Sequence, residues 1–479
     1  MAYSTRALAQ TGKTLLCLFL LSLNYCCMAA EQLEDASPSR RRAIAQSVIE
    51  EPTDLMQLHT VTRLLVLKAI EFNRFIIHYR LENDKQPKLR LWRYFLAEEI
   101  LAACNLSYDT MLIDQLGPHL STSTPVSASR LRSALTTSLV GTTVGASGSV
   151  IEVGSNIIRG FKNRERGFDV KTAGHYFVRL LHEFDDLLAE REYLVEQHRT
   201  DSSYPALVLE TNIYCGLRIF YLYEFFQFHE NTAAFRNYET VFYVLNATGD
   251  ILEASAALVG LRTVNRGQIS TSSNVLYTIG GAFIIVAPML SSAVGSLVKK
   301  HTHRSLIRRL GPLPPLNTNV FQDNVVKLTA LNSAASSSDR ITTVPVTLEL
   351  AEFTESGRHF QALLEQETVK LKSLSKVAVQ TNTLGPAIGA TVMTEGILGT
   401  VSTPKVPSNT GANSLAFSFA GAVCGLAGAA TSTVANVGIL GAHTCYSKRL
   451  RKEHRLPEQL ALQRLEILDR IEEEAEVLP

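Results

Sequence analysis

The chain has 479 residues, 46 Lys and Arg against 45 Asp and Glu, a formal charge of +1, and 46% hydrophobic residues. That balance excludes a surface built for nucleic acid or for acidic substrates, and the length leaves room for about three domains. The seven cysteines form no CxxC and no Cys/His cluster at zinc spacing, so neither a disulfide framework nor a metal centre is predicted.

Arg6 and Lys13, an apolar core from Leu15 to Leu23, and the small residues Ala29 and Ala30 have the layout of a secretory signal peptide over 1–30. Residues 31–130 then read as an extracytoplasmic helical region. Within it, Leu58, Val61, Leu65, Ile70 and Ile76 recur at helical spacing in an amphipathic helix from Leu55 to Tyr79. A second helix, Leu89 to Asn105, carries Arg93, Glu98 and Glu99 and is too charged to lie in lipid unshielded.

A membrane helix is predicted over 131–160. Glu152 and Asn156 interrupt it, and Thr137, Gly141, Gly145 and Ser149 recur every four positions, a face on which another helix can approach closely. The basic run Arg159, Lys162, Arg164, Arg166 and Lys171 follows, and 161–238 reads as a cytoplasmic helical region rich in aromatic residues.

Residues 239–300 form the first predicted membrane hairpin. Its first arm, Thr240 to Leu261, contains Asp250 and Glu253. Its second arm, Val275 to Val298, has no ionisable side chain except Tyr277 and exceeds the ~20 residues needed to cross a hydrocarbon core. Pro288 removes an amide donor in mid-span, frees the carbonyl of Ile284 and predicts a kink. Lys299, Lys300, Arg304, Arg308 and Arg309 mark the cytoplasmic end.

A cytoplasmic linker and helix follow over 301–380, then a second hairpin over 381–446. Its short arm, Leu384 to Val401, holds Glu395. Its long arm repeats the small-residue face at Gly421, Gly425, Ala429 and Thr433. Residues 447–479 form a cytoplasmic tail that passes from basic to acidic. Counted by Lys and Arg, the chain has five spans, its mature N-terminus outside and its C-terminus in the cytoplasm.

The fold class expected is therefore all-α, a multi-pass helical membrane protein with flanking amphipathic helices. A threefold internal repeat of helical hairpins is also expected. Ala97-Glu98-Glu99-Ile100-Leu101, Thr248-Gly249-Asp250-Ile251-Leu252 and Thr394-Glu395-Gly396-Ile397-Leu398 align at intervals of about 150 residues, each string upstream of a small-residue helix with a basic end.

Intramembrane carboxylates are costly enough to face a bundle interior or a watery path, which makes Glu152, Asp250, Glu253 and Glu395 the candidate polar site. Under threefold symmetry Glu98 or Glu99 would join Asp250 and Glu395 about one axis. The commoner fate of such residues is pairing with Arg at interfacial depth. His175, His182 and Asp186, and the pair His301 and His303, read as solvated helix faces rather than metal ligands.

No catalytic, cofactor-binding or metal motif occurs, so a non-enzymatic protein without cofactor is expected. Its expected partners are the bilayer, anionic lipid at the basic clusters, and a second copy or another membrane protein at Gly141, Gly145, Gly421 and Gly425; nucleic acid is not among them. The leading reading is a membrane scaffold or interaction protein. The alternative is a cation channel or transporter built on the carboxylates.

Overall fold

Helix boundaries fall where the sequence supplies caps and breakers. In the computed structural model, which describes residues 54–84, 88–122, 127–264, 271–335, 341–357, 384–402, 411–453 and 457–477, no strand occurs among the described residues. The helices are α1 (Asp54–Asp84), α2 (Lys88–Thr122), α3 (Ala128–Glu165), α4 (Val170–Gln197), α5 (Tyr204–Val264), α6 (Thr271–Leu310), α7 (Thr318–Ala334), α8 (344–357), α9 (Leu384–Ser402), α10 (Gly411–Lys452) and α11 (Pro457–Glu476). The signal peptide over 1–30 and the stretch 358–380 lie outside the described residues.

Asp169 caps α4 by accepting from the Thr172 amide at 2.9 Å. Gly167 and Gly311, at φ of 78° and 80°, take the left-handed turn that ends α3 and α6, a conformation that costs a side chain with a Cβ. Between Tyr204 and Val264 no proline follows Pro205, so the predicted soluble stretch and the predicted first arm of the 239–300 hairpin fuse into one helix of 61 residues, about 90 Å long.

That helix joins two parts of the fold. Its N-terminal half lies in a helical body with α1, α4, α7, α8, α11 and the end of α6, around one core. Aromatic rings dominate it: Phe177 and Phe225 stack at 3.8 Å, and Phe72 stacks on Tyr221 at 5.1 Å. Each buried ring contributes about 1.5–3 kcal/mol relative to exposure. Arg74 of α1 binds Glu472 and Asp469 of α11 at 2.6 and 2.5 Å and so holds the C-terminal helix against the N-terminal one.

The charge count places residues 31–130 and 161–238 on opposite sides of a bilayer; in the structure α1, from the first region, packs on α4 and α5, from the second, and on α11, around one core.

The second part is a closed circuit. Helix α2 packs on α3, α3 on α5, α5 on α6, α6 on α9, α9 on α10, and α10 returns to α2. Helix α2 thus joins the bundle rather than standing apart from it, because its charges are shielded: Arg93 binds Glu152 of α3 at 2.6 Å, and Glu98 faces the interior. Stretches long and apolar enough to cross a membrane occur in α3, α5, α6 and α10.

Within the body, His229 is buried, with Nδ1 3.0 Å from the Tyr79 hydroxyl. Burial pulls its pKa down to about 4. The unfolded imidazole, at about 6.5, takes up a proton first, so stability is fully present above that value and falls as the pH drops from 6.5 to 4, by about 3 kcal/mol. Urea unfolding of wild type and His229→Gln across this window checks the assignment, and equal pH slopes would refute it.

Candidate functional site

The ring encloses a cavity of about 90 Å³, reached by residues of all six helices. Five carboxyl groups line it: Glu98 and Asp109 from α2, Asp250 and Glu253 from α5, and Glu395 from α9. No Lys or Arg lines it among the described residues. Asp109, Asp250 and Glu253 are only 2%, 1% and 2% exposed, and Oδ1 of Asp109, Oδ2 of Asp250 and Oε1 of Glu253 have no hydrogen-bond partner among the described residues. Buried carboxylate oxygens are rarely left so, because each costs the desolvation of a charged or strongly polar group.

The groups are strung along the bundle rather than gathered at a point. Glu98 and Asp109 are three turns apart on α2, about 16 Å. Asp250 interacts electrostatically with Glu98 and Glu253, Glu253 in turn with Glu395, and Glu395 with Asp109. Hydroxyl and amide donors accompany them. The Tyr94 and Tyr108 hydroxyl-bearing rings line the cavity, and the Asn246 amide reaches Ser149 Oγ at 3.1 Å, the Tyr94 hydroxyl at 3.2 Å and Glu98 Oε1 at 3.5 Å.

Apolar clusters flank the cavity. Toward the helical body lie Tyr94, Phe242, Tyr243 and Ala287. Toward the other end lie Tyr108, Ala134 and Leu135 with Leu112, Leu131 and Leu261. Pro288 sits within α6, which continues unbroken through it, and lines the cavity beside Ile284.

The small residues singled out from the sequence are what admit the acids. A Cβ on Gly145 would stand 3.3 Å from Asp250 Oδ2, one on Gly421 3.4 Å from Glu395 Cγ, and one on Gly425 2.7 Å from both Asp109 oxygens. Gly141 meets Cys104 of α2. Gly280, not singled out, does the same for Glu253, with 2.9 Å to its Cγ.

The remaining candidates lie elsewhere. Glu152 is fully buried, but its Oε1 is held by Arg93, and it does not line the cavity. His175 and His182 are exposed on α4, and His303 Nδ1 lies 2.6 Å from Glu230. Among the described residues no group of three or more His, Cys, Asp or Glu could hold a metal ion. Asp109, Tyr94 and Tyr108 escaped the sequence reading. The available signal is the helical continuation Leu106-Ser107-Tyr108-Asp109-Thr110-Met111-Leu112, which carries a tyrosine and an acid beyond the predicted helix end at Asn105.

No protein-family model matches the chain, and no curated protein matches it.

Proposed function

We propose that the protein is a multi-pass membrane protein that moves cations along the carboxylate-lined interior of its six-helix ring. The inverted polarity of the ring carries this reading. Acids point inward, while Val275, Ile279, Val286, Met289 and Leu297 on α6 and Phe417, Val423, Val434 and Val437 on α10 are exposed. The exposed apolar positions extend about 33 Å along α6 and about 30 Å along α10, close to the hydrocarbon thickness of a bilayer. An apolar surface of that extent on a water-soluble protein would be an aggregation site.

Six spans follow if α2 and α9 are counted with α3, α5, α6 and α10. The hairpins α2–α3, α5–α6 and α9–α10 alternate around the ring, which supports the threefold repeat expected from the aligned strings. Exposed basic residues at the ends of α3, α6 and α10, including Lys162, Lys300 and Lys452, form a collar on the side of the body. The bias of positive charge puts body and collar in the cytoplasm, with anionic lipid at the collar. Labelling of single cysteines at Ser129 and Ser272 against Ser202, in a protein without native cysteines, reads that orientation, and protection of the first two from outside reagents would reverse it.

The competing scaffold reading rested on Gly141, Gly145, Gly421 and Gly425. All four are buried against this chain's own helices, so none is open to a partner. A carboxylate path requires its acids. In vesicles containing the purified protein, Asp250→Asn and Glu395→Gln are expected to abolish cation flux while leaving assembly in detergent unchanged, and wild-type flux in both variants would sink the proposal.

A further inference from the structure

We infer that the ion carried is the proton, relayed along Glu98, Asp250, Glu253, Glu395 and Asp109 and the water between them; this rests on reading the ring as a cation path. The alternative is a metal cation, and the geometry argues against it. A hard cation is held by about six or more oxygens converging at 2.0–2.6 Å. Here the acids are spread along about 16 Å of helix, and no cluster among the described residues could bind a metal.

The arrangement suits proton transfer instead. Each acid neighbours the next electrostatically, in the order given above. The cavity of about 90 Å³ has room for several waters, since one needs only ~10–15 Å³ of such volume. The unpartnered oxygens of Asp250, Glu253 and Asp109 are the groups that would bind that water. Five acids facing one space with no lining Lys or Arg need a compensating positive charge, and protons supply it without a coordination shell.

In each hop one proton leaves a carboxyl O–H for a bridging water, and that water gives one of its own protons to the next carboxylate. The donor is left as a carboxylate and is reprotonated from the water on its other side. One positive charge has then crossed with no net change in the acids. Tyr94 and Tyr108, which line the cavity at its two flanking clusters, stand beside the two ends of the relay, Glu98 and Asp109.

The test uses the full-length protein in vesicles containing a trapped pH-sensitive dye, with an inward-negative potential imposed by potassium and valinomycin. Acidification of the lumen is expected, without uptake of radioactive sodium, rubidium or calcium in parallel vesicles. Glu253→Gln is expected to slow acidification by about a hundredfold, while Glu253→Asp, which retains a carboxyl, restores part of it. Uptake of sodium, rubidium or calcium at constant lumen pH would overturn the proton assignment and leave the cation path standing. Movement of neither protons nor metal ions would overturn both. Should Glu253→Gln fail to fold, the wild-type selectivity decides alone.

Discussion

Arg191→Met is expected to destabilise the helical body by about 3–5 kcal/mol. Arg191 and Glu210 are both fully buried and paired at 2.5 Å, linking α4 to α5. Arg191 also donates to Thr62 of α1 at 3.0 Å, to Thr211, and to the Leu207 carbonyl at 3.2 Å. The other carboxylate oxygen of Glu210 accepts from Thr347 of α8 at 2.7 Å, whose hydroxyl also meets Tyr214 at 2.7 Å. One charge pair thus ties four helices together.

The cost arises because truncating one partner leaves the other charge buried and uncompensated. Replacing both by apolar residues removes that cost, so Arg191→Met with Glu210→Met is expected to recover most of the loss. Urea midpoints of the three proteins decide the matter. A single variant within 1 kcal/mol of wild type, or a double variant no better than the single, would show that the network does not hold the body together.

Gly281→Val is expected to break the ring. A Cβ at Gly281 would stand 2.6 Å from the Met393 amide nitrogen and 2.7 Å from the Gly389 carbonyl oxygen, both backbone atoms of α9. Gly389 meets the Gly281 carbonyl reciprocally at 2.8 Å. Backbone cannot rotate away as a side chain can, so α6 and α9 must separate, at or beyond the upper end of the ~1–3 kcal/mol typical of overpacking.

Gly154 and Gly438 have nothing within 4 Å of such a Cβ, so valine at either is expected to change stability by no more than about 0.5 kcal/mol. Thermal unfolding in detergent compares the three. Equal melting temperatures for Gly281→Val and Gly438→Val would contradict the close approach of α6 and α9.

Much of this molecule was legible as sequence because helical periodicity is local. The apolar run from Val275 to Val298, the four-residue spacing of Gly141 and Gly145 and of Gly421 and Gly425, and the acids Asp250, Glu253 and Glu395 are each visible within a few turns of chain. What they face was not. The small-residue stripes resemble docking faces in isolation, and only packing shows that they seat the chain's own carboxylates. Glu152 resembles the other candidates in sequence, and only the fold sets Arg93, 59 residues earlier, against it.

Local sequence alone makes the chain helical, marks the runs in α3, α5, α6 and α10 as long and apolar enough to cross a membrane, and sets where acids and small residues lie along them. These follow from nearest-neighbour sterics and side-chain polarity. Packing between distant segments brings α2 into the ring, gathers α1, α4 and α11 around one core, and lines one cavity with acids from three helices. Those facts depend on contacts between residues tens to hundreds of positions apart, where the pairing is chosen by which surfaces bury each other best and leaves no periodic mark on either segment alone.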